Sequence, residues 1–340
     1  MARMNWKDIN WQRCRTPLLH AHTHGQGWAE VMLYTPHVIR VDDVWRMWYL
    51  GSAGHSRSSE FHLGYATSSD GLHWRPHSGN PVAVPSDNPW GGSWQTPCVL
   101  FDEQKGVYKM WFTSRTHIEH DASGNCIALE TALGYAESND GLSWSVHPEP
   151  VYNSARRPWV TKLPDGTYRM WMGSRPSPES KWDDLYKNIY EFRSADGIEW
   201  KRNEAPLVSA DEKVMSCVYP CVYQEAQSFL MLYGCHVDGG RFEIFHATSD
   251  DGTKWITHHD EPFFAASGDV KRFDGRYTST PCIVKDGEKY LLYYSGRPLQ
   301  NEYRLPDGSL ATDGCGVYCG IGVAVGAPRT ETTSREGGEL

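Results

Sequence analysis

Five prolines set the frame of this chain. Pro36, Pro97, Pro158, Pro220 and Pro281 follow one another at intervals of 61, 61, 62 and 61 residues. Each opens a short apolar run, then a turn, then a run of the type Tyr-Lys-Met-Trp-Phe at 108–112. A second phrase, Ser-x-Asp-Gly-x-x-Trp, ends at Trp74, Trp144, Trp200 and Trp255, and each copy is followed by a proline and an apolar residue, as at Pro81-Val82 and Pro262-Phe263. The runs are short, rich in aromatic and β-branched residues, and split by Asp-Gly turns, the punctuation of β-hairpins rather than helices. About four strands per unit, repeated five times, predict an all-β fold, a five-bladed β-propeller.

The ends of the chain predict how such a ring closes. The fifth unit supplies three strands, and the orphan phrase from Trp11 to Pro17-Leu18 supplies the fourth, so Trp11–Leu19 is expected to pair with the Gly316–Val325 strand and leave no free sheet edge. Residues 1–326 are expected to form one propeller and residues 327–340 a disordered tail. The net charge of −9 and the absence of a basic stripe argue against nucleic acid. With no signal-peptide-like start and no apolar run long enough to span a bilayer, the expected location is the cytoplasm, without a membrane partner. The nine cysteines are scattered through apolar runs and read as buried free thiols, and the Cys315–Cys319 spacing is too weak to assign a metal.

In a propeller the proline face holds the functional mouth, because the innermost strands begin there and the loops after the second strands return to it. The Ser-x-Asp-Gly-x-x-Trp turns fall on the other face and read as structural, their Asp and Ser bonding the turn backbone while Trp packs between blades. On the proline face, the residues four beyond the aromatic of each second strand are Ser52, Arg115, Arg175, His236 and Arg297. Those directly before the prolines are Thr35, Thr96, Arg157, Tyr219 and Thr280. Arg115, Arg175, Arg297 and Arg157 would hold an anionic group, with Gln95 and Trp94 completing the binding set; the alternative is that the arginines pair with loop carboxylates such as Asp183, Asp184 and Glu130. Nine of the 15 histidines also fall in segments reaching this face. Among them His20, His22 and His24 would lie on one side of an extended strand, a geometry suited to a divalent metal, although a solvated loop explains them as well.

The phrases MWYLGSAGH…LGYATSSDGLHW and MWFTSRTH…LGYAESNDGLSW, within a pattern running over residues 5–326, resemble the five-bladed propeller glycoside hydrolases of families 32, 43, 62, 68, 117 and 130. The resemblance implies a central pocket and a carbohydrate ligand. In families 32 and 43 it also implies Asp before the proline of the first and third blades and Glu two residues before it in the fourth. The matching residues are Thr35, Arg157 and Val218, so those carboxylates are missing, and no rotation of the blades restores them.

Glycoside cleavage normally needs two carboxyls, which must then come from mouth loops. Glu30, Asp87, Glu119, Asp121, Glu130, Asp211, Asp238 and Asp269 are the pool. Tyr219 can stand in for a carboxylate nucleophile. The expected catalytic set is therefore His37, His236, Tyr219, Glu119 and Asp238, acting on an anionic saccharide or glycoside, with histidine setting a pH dependence between about 5.5 and 7.5. Three other readings stay open: a phosphorylase, a lyase or isomerase using histidine with or without a metal, and a non-catalytic sugar-binding propeller.

Overall fold

The structure, a computed structural model, describes residues 6–54, 60–123, 126–225, 228–300, 302–304, 310–312 and 318–328. Cys315 and the part of the expected tail after Pro328 lie outside the described residues. The regular structure of the described chain is almost wholly antiparallel strand, joined by turns, loops and short helical turns.

Each proline-led unit forms its own ladder. Met32–Val41, Val44–Ser52, His62–Ser68 and Arg75–Pro76 make the first. The second consists of Ser93–Asp102, Val107–His120, Cys126–Ser138 and Ser145–Val146, and the third of Arg156–Lys162, Tyr168–Gly173, Asn188–Ser194 and Lys201–Arg202. Val218–Glu225, Ser228–Val237, Arg241–Ser249 and Ile256–His258 make the fourth, which touches the next through one parallel pairing of Phe242 with Tyr277. The last ladder contains Tyr277–Asp286, Lys289–Arg297 and Gly320–Pro328, and its outer strand is Ile9–Arg13 from the other end of the chain, with Trp11 opposite Gly326. The leading strands lie against one another in chain order, and the fifth also lies against the first.

The four Ser-x-Asp-Gly-x-x-Trp turns share their serine and aspartate bonds, and in three of them the tryptophan indole also bonds the glycine carbonyl; the Trp144 indole has no partner among the described residues. In the first, Ser68 Oγ accepts from Gly71 N–H at 2.9 Å, Asp70 Oδ1 accepts from the Leu72 and His73 amides at 2.8 Å, and the Trp74 indole donates to the Gly71 carbonyl at 3.0 Å. Glycine is needed because its φ is +74°, a region closed to most side chains. The glycine carbonyl of each turn serves a neighbouring unit. Trp48 donates to Gly141 at 2.8 Å, Trp111 to Gly197 at 2.7 Å, Arg169 to Gly252, and Tyr293 to Gly71 at 2.8 Å. Four junctions between units are thus latched by a buried side-chain donor, that of the fifth with the first among them.

At the opposite end every leading strand is kinked at its proline. Thr35, Thr96, Arg157, Tyr219 and Thr280 all have positive φ, between +47° and +64°. At each, the register against the second strand slips by one residue, a β-bulge. Two of the bulge amides find a side chain of the preceding unit: Thr35 N–H donates to Ser295 Oγ at 2.8 Å and Arg157 N–H to Thr113 Oγ1 at 2.9 Å. The bulge resets the alternation of side chains just where the strand enters the mouth.

The two chain ends are also joined by a buried polar knot. Asp274, wholly buried, accepts from Arg13 at 2.8 Å, from Arg272 at 3.0 Å and from Tyr294 at 2.8 Å, while Arg272 also donates to the Cys14 carbonyl at 2.6 Å. Burial by itself would raise the Asp274 carboxyl, but Arg13, Arg272 and the Tyr294 hydroxyl outweigh it and hold the group below the usual carboxylate range. A depressed folded-state pKa contributes stability that is fully present above the unfolded value of about 3.9 and is lost as pH falls through the lower one. Asp274→Asn is therefore expected to cost about 3–5 kcal/mol at neutral pH. It should also flatten the fall in melting temperature below about pH 4, which calorimetry of wild type and variant will read.

Candidate functional site

A cavity of about 480 Å³ opens at the end of the molecule where the bulges lie. Its floor takes Tyr34, Gln95 and Arg156, each two residues before a proline, and Tyr219, directly before one. Ile118, His120, Cys126 and Leu129, from the long second-unit hairpin, form one wall, and Trp182, Asp183, Tyr186 and Lys187, from the third-unit turn Trp182–Tyr186 and the residue after it, form another.

Arg156 organises the floor. Its Nη1 donates to Gln95 Oε1 at 2.7 Å and its Nη2 to the Tyr219 hydroxyl at 2.8 Å, and its guanidinium lies 5.3 Å from the ring centroids of both Tyr186 and Tyr219. Burial opposes the charge, yet the surrounding Tyr186, Tyr219 and Tyr34 phenols and the bond to Tyr219 more than restore it, so Arg156 stays cationic. Tyr34 stacks on Tyr318 at 5.1 Å with the planes 5° apart, and burial pushes its phenol up. The cavity therefore joins an aromatic lining to a cationic floor.

The expected residues part company here. Tyr219, His236, Arg115 and Gln95 do line the cavity. His236 opens to it between the Phe242 and Tyr277 rings, with Nδ1 3.2 Å from Ser216 Oγ, and desolvation by these walls together with Arg297 holds it down to about 4. Arg115 lies over the Phe61 ring, its charge disfavoured by burial. Arg175 does not share this cavity; it faces a separate depression with Glu130 and Lys181, its Nε 3.3 Å from Ser154 Oγ. Arg297 is buried against the Tyr277 ring at 4.5 Å. The cationic column thus does not converge on one cavity.

The remaining candidates lie elsewhere. His37 is buried behind the floor, its Nε2 3.0 Å from the Val99 carbonyl, and burial with nearby Arg157 holds it down to about 3. Neither His37 nor His236 therefore titrates in the window expected from sequence. Glu119 accepts from His117 at 2.9 Å on the exposed part of the hairpin, and Asp238 begins the exposed turn Asp238–Gly240. Trp94 is core, stacked on Phe112 at 4.2 Å with its indole on the Val84 carbonyl. For His20, His22 and His24 the extended strand is corrected to a helical turn, Ala21–His24, capped by His20. Their nitrogens are used locally: His20 Nδ1 accepts from the His22 amide at 3.2 Å and His24 Nδ1 from the His20 amide at 3.0 Å. Among the described residues these three imidazoles do not gather into a ligand set.

Arg156, Tyr34, Tyr186, Trp182 and Lys187 were missed as site residues. The third unit's Arg156-Arg157 pair carried a signal, but a regular strand would send Arg157 to the mouth, and the bulge sends Arg156 instead. None of the expected loop acids lines the cavity; the one carboxylate that does, among the described residues, is Asp183, 3.1 Å from Lys187.

Arg157 points away from the cavity into the centre of the molecule. It is 1% exposed, with Nη2 on the Pro281 carbonyl at 2.9 Å, and its Nε and Nη1 have no partner among the described residues. Its titratable neighbours are thiols, Cys98, Cys221 and Cys282, which burial keeps protonated, and the phenol Tyr219, and burial disfavours its charge. Arg157→Met is expected to raise stability by about 1 kcal/mol or more, since a buried charge without an acid costs more than its one hydrogen bond returns. Thermal denaturation checks this, and a fall in melting temperature would show that the guanidinium is compensated.

The fold is that of the propeller glycoside hydrolases. A glycosyl hydrolase from Bacteroides ovatus superposes with a TM-score of 0.64 at 18% identity, covering 95% of this chain and 90% of that one. The catalytic domain of the Coprinopsis cinerea GH62 α-L-arabinofuranosidase superposes with a TM-score of 0.62 at 13% identity, over 94% and 97%. A structure from the GH130 family of mannoside phosphorylases, which contains glycoside hydrolases that target β-1,2-mannosidic linkages in Candida mannan, gives 0.65 at 17% identity, over 98% of both chains. The profile of the glycosyl hydrolases family 32 N-terminal domain matches residues 35–226, and the chain belongs to this family. It is also 27% identical over 178 residues to an uncharacterized protein of Mycobacterium tuberculosis, a match covering 49% of this chain and 58% of that relative's length.

Proposed function

We propose that the five ladders are the blades of one closed propeller spanning residues 1–326, and that its axial cavity cleaves the glycosidic bond of an anionic saccharide. Closure is supported by the latch from Tyr293 to Gly71 and by the Ile9–Arg13 strand paired to the last blade. The observation that carries the function is the Arg156–Tyr219 hydrogen bond of 2.8 Å on the cavity floor. A fixed cation against a phenol oxygen stabilises negative charge developing there, which lets tyrosine act as the nucleophile where the family's inner-strand carboxylates are replaced by Thr35, Arg157 and Val218.

In this reading Tyr219 attacks the anomeric carbon as its proton passes to neutral His236 and the glycosidic C–O bond breaks; Asp183 at the rim protonates the leaving oxygen, and water then displaces the sugar from Tyr219, returning a proton to Asp183 while His236 returns the phenol proton. Arg115 and Lys187 bind the ligand's acidic substituent. A second reading, phosphorolysis, is favoured by Asp183 being the lone lining carboxylate among the described residues, since phosphate then serves as nucleophile and one acid suffices. In both, the ligand is a small carbohydrate. No described helix is long and apolar enough to cross a membrane. The free cysteines suit a reducing compartment, in keeping with a cytoplasmic location.

The test is turnover of aryl uronides, sialosides and sulfated glycosides with and without inorganic phosphate. Tyr219→Phe should lower kcat by about 10³-fold or more, and Arg115→Ala should raise KM by about tenfold or more, as loss of a charge-assisted bond of about 1.5–3 kcal/mol requires. Full activity of Tyr219→Phe on an accepted substrate overturns the tyrosine mechanism, and activity strictly dependent on phosphate selects the second reading.

A further inference from the structure

Behind the cavity wall formed by Met215, Ser216 and His236 lies a second group of chemistry-bearing side chains. Cys217, Cys235 and His259 are all buried, and their ligand atoms lie within 4.8 Å of one another. The two sulfurs are 4.0 Å apart. Two thiolates bound to one tetrahedral zinc, at about 2.3 Å each, stand about 3.8 Å apart. His259 is oriented as metal-bound imidazoles are: its Nδ1 is 2.7 Å from Asp211 Oδ2, which leaves Nε2 to face the sulfurs. That carboxylate is itself fixed, because Asp211 Oδ1 accepts from the Lys213 and Val214 amides at 2.9 and 3.1 Å. The Tyr233 hydroxyl stands 2.7 Å from His259 Nε2, at the edge of the same space.

We propose that Cys217, Cys235 and His259 bind a divalent metal ion of the zinc class, with Asp211 holding the imidazole and the Tyr233 hydroxyl or a water completing the tetrahedron. Two soft sulfurs and one imidazole select zinc over calcium or magnesium. The ligands come from three separate segments: Cys217 from the connection that enters the fourth unit, Cys235 from its second strand and His259 from beyond its outer strand. An ion here pins that connection to the sheet. The pinned connection bears on the active cavity, since Met215 N–H donates to the His236 carbonyl at 2.9 Å, His236 N–H to Ser216 Oγ at 2.9 Å and Cys217 N–H to the Tyr186 carbonyl at 2.8 Å. The metal is thus structural, setting the wall that carries His236.

The full chain, purified under reducing conditions, loaded with zinc and dialysed, is expected to retain about one equivalent of metal. Cobalt in its place should give the intense thiolate-to-metal charge-transfer absorption of a sulfur-ligated site. Cys217→Ser and His259→Ala should lose the ion, and Asp211→Asn, whose carboxylate is outside the core, should stay folded and bind 10- to 100-fold more weakly. Cys221→Ser, at a buried thiol outside the cluster, should bind as wild type does. Failure of the reduced wild type to retain zinc or to show the cobalt band overturns the proposal. So does zinc affinity unchanged in Asp211→Asn and His259→Ala, or a Cys217–Cys235 disulfide in protein isolated without reductant that carries no metal.

Discussion

The left-handed residue before each proline governs this molecule. A non-glycine residue at positive φ costs of order 1–3 kcal/mol, and here five are held in the same place of five units. Proline explains part of the arrangement: its missing N–H leaves the ladder open at that point, so a bulge costs no hydrogen bond from it. The remaining strain is held by packing and by hydroxyls of the preceding unit, Ser295 for Thr35 and Thr113 for Arg157. Position and polarity of the cavity floor follow. Side chains two before the proline turn into the mouth in the first three units, and the one directly before it does so in the fourth.

The electrostatics of the site follow from that choice. Two consecutive arginines enter the third unit and are sent in opposite directions. Arg156 goes among phenols and an amide that stabilise its charge, and Arg157 goes among thiols that do so poorly. The first is available to a ligand from the cavity, and the second adds positive potential beneath the floor without touching it. In a chain of net charge −9, Arg156 and Arg115 thus place positive charge on the cavity lining, where low-dielectric walls strengthen its field.

The architecture was open to reading because its signals are periodic: the proline spacing, the Asp-Gly turns and the displaced Trp11 phrase all follow from backbone geometry that recurs. The latches were half visible, since Trp48, Trp111 and Tyr293 hold equivalent places in their runs, while Arg169 in the third unit does not. The site was less open to reading. Placing Thr35, Arg157 and Thr280 at the mouth assumed unbroken alternation, and one extra residue per strand reverses it. His20, His22 and His24 failed for a related reason, because a single helical turn replaces a period of two with one of 3.6. Cys217, Cys235 and His259 lie 18 and 24 residues apart in sequence, a spacing that resembles no metal motif, and only the hairpin geometry of the fourth unit brings them together.

The pairing of Ile9–Arg13 with the last strand has a topological consequence. Ile9 lies directly across from Pro328, so the beginning and end of the described chain are neighbours on the outer edge of one ladder. A short flexible linker can join them, and the chain can then be opened at an exposed turn such as Asp165-Gly166 without breaking a strand. Such a circular permutant keeps every side-chain latch and every bulge. It replaces the noncovalent seam in the last ladder with a covalent one, and moves the seam to a unit of the experimenter's choosing.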